Sequence, residues 1–230
     1  MRRVGELGMQ KISFRAGVIT VILVCCSIRS LAQAPFRPAE VTSASDIPYP
    51  IQSIADGVVV LDVSLDGKGA IAGSTIVRDI PSLASPAISS IQSWKFSPAS
   101  RQGKPEQSIM RVAVVFRPRS YLAAGPAFNS VLSEGNSNRA DQGFIPPGII
   151  SVSYPQYPIN AAVPGTVVIQ VTVGKSSAVQ HLKVARDLPP FTKFALSAVN
   201  KWRFQTATLS GKPATASLAI AFIFPPLPPS

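Results

Sequence analysis

Apolar and polar positions alternate along two stretches of the chain. Val59, Leu61, Val63 and Leu65 are interleaved with Val60, Asp62 and Ser64, and Val167, Ile169, Val171 and Val173 with Val168, Gln170 and Thr172. A period of two predicts half-buried β-strands. Turn residues follow each run, Asp66-Gly67-Lys68-Gly69 and Gly174-Lys175-Ser176-Ser177, and then a second extended run, Ile71 to Val77 and Val179 to Ala185. Each pair therefore reads as a hairpin. The period then becomes helical. Ser85 is placed to cap a helix and Pro86 to occupy its first position, with Ala87, Ile88 and Ile91 on one face; Phe191, Phe194, Ala195, Ala198 and Val199 make the corresponding face further on. Third strands are expected from about Glu106 to Arg117 and from about Ala214 to Phe224.

The two series are copies of one unit. With an offset of about 108 residues, Tyr49 to Pro118 lies on Tyr157 to Pro226 without a gap, with roughly 22 identities in about 70 positions. Tyr49-Pro50-Ile51 matches Tyr157-Pro158-Ile159, Gly57 matches Gly165, Trp94-Lys95-Phe96 matches Trp202-Arg203-Phe204, and Gly103-Lys104-Pro105 matches Gly211-Lys212-Pro213. A strand–helix–strand crossover sets the second and third strands of each unit parallel, with the first between them and the third at an edge. The expected fold class is α+β: two tandem small units at 46–118 and 154–226, each a three-stranded mixed sheet packed with one main helix. A linker at 119–153 joins them, and the Pro-rich end at 227–230 reads as a stiff tail.

The N-terminus bears on compartment. Arg2, Arg3, Lys11 and Arg15 precede an apolar run from Ala16 to Ile28, and Ala32-Gln33-Ala34 supplies a small-x-small cleavage pattern. Residues 1–34 read as a secretory signal, since the run of about 13 residues is shorter than the roughly 17 to 25 that span a bilayer. Retention of residues 12–28 as an inner-membrane anchor is the alternative. Both cysteines, Cys25 and Cys26, fall in this segment, so an exported chain has no thiol chemistry. Its net charge of +11 would fall to about +7 with the leader removed. Lys and Arg are scattered rather than clustered, which with export argues against a nucleic-acid partner. The single histidine, His181, excludes multi-histidine metal sites, and no cofactor or metal is expected. Asp62, Asp66, Asp79 and Asp187 sit in or beside hairpins and strand-to-helix junctions, where structural roles are commoner than acid–base catalysis, and no enzyme is expected.

Tyr-Pro, a Gly before a Val-rich strand, a small turn, an Ala-containing helix, Trp-Lys/Arg-Phe and Gly-Lys-Pro before an apolar strand occur twice in this order. The series resembles the C-terminal domain family of TonB, carried by Tyr49, Pro50, Gly57, Trp94 and Phe96 and by Tyr157, Pro158, Gly165, Trp202 and Phe204. Copy two has the Tyr-Pro-x-x-Ala opening where copy one has Ser53, and copy one has Trp-x-Phe-x-Pro-Ala where copy two has Thr206. The resemblance implies a periplasmic, non-catalytic domain that pairs a free strand with an extended segment of an outer-membrane transporter or another envelope protein. The candidate peptide-binding edges are Arg111, Val112, Ala113, Val114 and Val115, and Ala219, Ile220, Ala221, Phe222 and Ile223. Copy one, with Glu106 and Arg111 nearby, is expected to present the solvent-facing edge. The competing expectation is a closed scaffold or self-associating module in which the two copies seal these edges against each other.

Overall fold

The computed structural model describes residues 36–117, 129–131, 143–157 and 163–225. The expected leader, the tail at 227–230 and Pro158 lie outside the described residues. The first copy runs β1 (Glu40–Ser43), β2 (Gly57–Leu65), β3 (Ile71–Arg78), α1 (Pro81–Ile91), β4 (Lys95–Ser97), β5 (Ala99–Arg101), β6 (Lys104–Glu106) and β7 (Ser108–Phe116). After β8 (Asn129–Val131) and β9 (Phe144–Ile145), the second copy repeats the order. Its elements are β10 (Gly148–Ser153), β11 (Gly165–Val173), β12 (Val179–Arg186), α2 (Phe191–Val199), β13 (Arg203–Gln205), β14 (Ala207–Leu209), β15 (Lys212–Ala214) and β16 (Ala216–Phe224).

Within each copy the hairpin and crossover follow the expected topology: β2 lies between β3 and β7, and β11 between β12 and β16, all antiparallel. The two three-stranded sheets are not separate, however. β16 pairs with β7 in parallel, giving one six-stranded sheet in the order β12-β11-β16-β7-β2-β3. Leu218 stands beside Arg111 and Phe222 beside Val115. This register is one residue short of the repeat offset, for a reason set by the pleat. Side chains alternate across a sheet, and the two copies face opposite ways, so equivalent residues point to opposite faces. A shift of one brings same-facing neighbours together.

Each face therefore holds one helix. α1 packs Leu83, Ala84, Ala87 and Ile91 over Val59, Leu61, Val63 and Leu65, while α2 packs Phe191, Ala195, Ala198 and Val199 over Val167, Ile169, Val171 and Val173 on the other side. α1 starts one turn earlier than expected, because Pro81 rather than Pro86 takes the first turn and Leu83 joins the apolar face; Pro86 lies inside the helix. Phe194 is only half-buried. Gly57 and Gly165 open β2 and β11 where a Cβ would come within 2.7 Å of Ile80 and 2.8 Å of Leu188. The motif glycines thus let the side chains entering each helix lie on the strand.

The half of each face left open by its helix is covered by a strap from the other copy. Ala39, Val41, Ala44 and Ile47, around β1, share a core with Val168, Ala219, Ala221 and Ile223 of copy two. Ile149 and Val152, on β10, share the opposite core with Val58, Val60, Ala113 and Val115 of copy one. β1 pairs with β4 of its own copy and β10 with β13 of its own, so the exchange is mutual. Three expectations change as a result. The segment 148–153 is a strand rather than linker. β2 is buried on both faces, with Val60 and Asp62 at 0% and 1% exposure. The sheets form one layer wrapped by two straps, because a lone three-stranded unit leaves one face bare.

Candidate protein-interaction site

The third strands proposed as peptide edges are the centre of the molecule. β7 pairs along its length with β2, from Ser108 opposite Leu65 to Phe116 opposite Gly57, and on its other side with β16. β16 pairs from Ala216 opposite Val173 to Phe224 opposite Gly165. Arg111, Val112, Ala113, Val114 and Val115 are buried, as are Ala219, Ile220, Ala221, Phe222 and Ile223. The open-edge expectation is corrected here: each copy's third strand uses the other as the added strand. Leu218 to Phe224, with no charge on either face, carried the sign of this burial. Arg111 pointed the wrong way. Its guanidinium donates to both Asp62 carboxylate oxygens at 2.8 and 3.0 Å, and to the Pro147 carbonyl at 3.3 Å.

The equivalent place in copy two solves the same problem without charge. Gln170 stands where copy one has Asp62, and Ala219 where it has Arg111. Gln170 Oε1 accepts the Val41 N–H of the other strap at 2.8 Å. Thr166 Oγ1 accepts the Ile47 N–H at 2.9 Å, and Asp46 accepts the Thr166 N–H at 2.9 Å. Arg186 pairs with Asp46 and Lys183 with Glu40 at 2.5 and 2.6 Å, so the first strap is tied along the outer strand β12.

The remaining motif residues hold the core. Tyr49 packs edge-on against Phe116 and donates to the Ala55 carbonyl at 2.6 Å, while Pro50 turns the chain through its carbonyl to Ser53 N–H. Tyr157 packs on Phe191 and Phe224 and donates to the Pro225 carbonyl. Trp94 and Phe96, and Trp202 and Phe204, are buried neighbours beneath the helices. Asp66, half-buried in its hairpin, is held below the usual carboxylate pKa by the backbone N–H groups of Ala70 and Lys68. Among the described residues no group of three or more His, Cys, Asp or Glu could hold a metal ion, and no helix is long and apolar enough to cross a membrane.

Among the described residues, β3 and β12 are the strands of the six-stranded sheet with a strand neighbour on one side alone. Sequence reasoning fixed on the third strand of each copy and passed over these second strands. Their sign was present in the predicted order, which put them at the far side of each unit.

The fold defines a duplicated α+β module of two interlocked copies. Residues 47–118 and 151–225 match the family described as Gram-negative bacterial TonB protein C-terminal. The chain belongs to this family and carries two tandem copies of its domain. Comparison with curated proteins and with solved structures gives no match. The family is envelope-associated and its domain mediates protein interaction, which places the chain among TonB-like envelope proteins acting in transport.

Proposed function

We propose that this chain is an exported, periplasmic TonB-like protein whose two copies form a closed scaffold, engaging an extended segment of an outer-membrane transporter or another envelope protein without catalysis. The observation that carries this reading is the parallel ladder between β7 and β16. A guest strand at Arg111–Val115 or Ala219–Ile223 would have to displace the other copy and both straps, exposing two cores. Among the described residues β3 and β12 are the outer strands of the sheet, and strand addition beyond them would leave the scaffold intact. The Tyr-Pro opening, which in copy one forms only a turn, is too short to offer a helix as a contact surface.

Hydrogen exchange on residues 33–230, alone and with N-terminal peptides of outer-membrane transporters, tests this reading. Slow exchange at 111–115 and 219–223, unchanged by any peptide, is the expected result. Fast exchange in either segment that slows with one peptide would restore the open third strand and sink the closed scaffold.

A further inference from the structure

We propose that a cavity between the two copies is a binding site for one small apolar amino acid, held as a zwitterion. The proposal goes beyond the interaction reading above and uses only the closed arrangement of the copies, because the lining comes from both. The cavity has a volume of about 140 Å³ and lies at the end of the sheet where β7 begins. Phe36 and Phe144, equivalent residues of the two copies, meet there with ring centroids 6.0 Å apart and planes inclined at 44°. The bridge from Arg37 to Ser100 brings in Phe36, and the pairing of β9 with β14 brings in Phe144. With Leu209 they make a bent apolar wall.

The opposite wall is polar and comes from copy one. Arg101 and Glu106, on the paired strands β5 and β6, line the cavity as a bidentate pair: Nε donates to Oε2 at 3.0 Å and Nη2 to Oε1 at 3.3 Å. A guanidinium has more N–H donors, and a carboxylate more acceptor positions, than one such pairing uses. Each partner therefore keeps an edge for a ligand. Ser108 also lines the cavity, and its buried Oγ has no hydrogen-bond partner among the described residues. A buried hydroxyl in that state gains by meeting a ligand group. At the equivalent positions copy two has Leu209, Ala214 and Ala216. Its hairpin and third strand form without these polar groups, so the fold does not require them in copy one.

Size, charge and shape identify the ligand. An apolar cavity of about 150 Å³ holds a benzene-sized group, so this one has room for a single compact side chain. The ligand's polar end then lies beside Arg101 and Glu106, whose side chains are 47% and 30% exposed. That pair is neutral in sum but offers a cationic and an anionic edge side by side. It matches a ligand carrying both charges on one carbon, whereas a simple anion meets Glu106 and a simple cation meets Arg101. Two rings inclined to each other give no flat platform for a sugar, and they suit a branched side chain such as that of leucine or valine. The carboxylate goes to Arg101 and the Ser108 hydroxyl, the ammonium to Glu106, and the side chain to Phe36, Phe144 and Leu209.

The test is calorimetric titration of residues 33–230, a compact unit with both cores, with leucine, accompanied by amide NMR shifts. The expected result is saturable one-to-one binding that moves the amides of Phe36, Ser108 and Phe144. Glycine, which lacks the side chain, and N-acetyl-leucine amide, which lacks both charges, should bind at least about tenfold more weakly. Arg101→Leu and Glu106→Ala, which install the residues of copy two, should each weaken leucine by about tenfold or more, and Ser108→Ala by several-fold. The Arg101 and Glu106 side chains are partly exposed, so thermal unfolding should be unchanged in the first two. Arg203→Gln, which removes an exposed cation outside the lining, should leave binding as it was. No saturable binding of leucine, valine or methionine at millimolar concentrations would overturn the proposal, as would undiminished binding in all three cavity variants. Glycine or N-acetyl-leucine amide binding as tightly as leucine would overturn it too, and so would a monosaccharide that binds more tightly. An open scaffold reads out separately, as fast exchange at 111–115 or 219–223 in the free protein, and would take the cavity with it.

Discussion

Trp94 and Trp202 occupy the same place in the two copies and are held differently. Trp202 donates its indole N–H to the Ser153 carbonyl at 2.9 Å, whereas the buried Trp94 Nε1 has no hydrogen-bond partner among the described residues. Replacing Trp202 by Phe orphans a buried carbonyl, and replacing Trp94 removes a donor that was already unsatisfied. Trp202→Phe should therefore cost about 1 kcal/mol more than Trp94→Phe, read from the two denaturant midpoints at equal slope. A second pair of sites diverged together. In copy one, Gly69 lies against Phe96 and Pro98, with space for no Cβ: one built there falls 2.3 Å from the Phe96 carbonyl oxygen. In copy two, Ser177 adopts φ 65 at that turn position and its Oγ accepts the Thr206 N–H at 3.1 Å. Proline at 206 would have no N–H to give. The departure of Thr206 from the family's proline thus has a physical partner, the hydroxyl of Ser177.

At the scale of elements, each strap meets a polar group suited to the backbone atom it offers. The strap at β10 presents the Pro147 carbonyl and meets Arg111; the strap around β1 presents the Val41 N–H and meets Gln170. Asp62 and Arg111, each about 2% exposed at the side chain, need one another. Arg111→Ala leaves a buried carboxylate alone and should destabilise by about 3–5 kcal/mol. The double variant Asp62→Gln with Arg111→Ala, which installs the residues of copy two, should recover part of that loss, measured by thermal or denaturant unfolding; an equal loss in both would mean that the strap rather than the stranded charge sets the cost. The elements themselves were legible because they are local: alternation gave β2 and β11, the turn residues gave the hairpins, and the helical period gave both helices. The straps were not, since Val41 and Ile149 carry no sign of a face some hundred residues distant in sequence. Only the small residues beneath them, Ala113, Ala219 and Ala221, hint that something must approach closely.

For the whole molecule, the exchange of straps makes the two copies one cooperative body. Each core contains residues of both. Calorimetry of residues 33–230 should show a single transition whose calorimetric and van't Hoff enthalpies agree, whereas two resolved transitions would mean that the copies hold together independently. Sequence reasoning reached the family and the order within each copy, but it placed the third strands at open edges and kept the sealed arrangement as the alternative. The deciding interaction joins two strands of one chain across the duplication. A strand's sequence shows that its faces are apolar, but not which neighbour satisfies its backbone. Arg111 tipped the reading toward solvent because a charge in a strand usually marks an exposed face, and its buried partner Asp62 lies on another strand.

The exchange also constrains the order of events when the chain is made. Synthesis proceeds from the N-terminus, so the segment Glu40–Ile47 emerges well before the surface it covers, which includes Ala219, Ala221 and Ile223. Copy one cannot finish early either, because the cover for Val58 and Val60 comes from beyond residue 147. Closure therefore waits on contacts of long sequence separation, which are slow to form. A polypeptide arranged in this way stays open until β16 has been made, and it locks only once that strand takes its place beside β7.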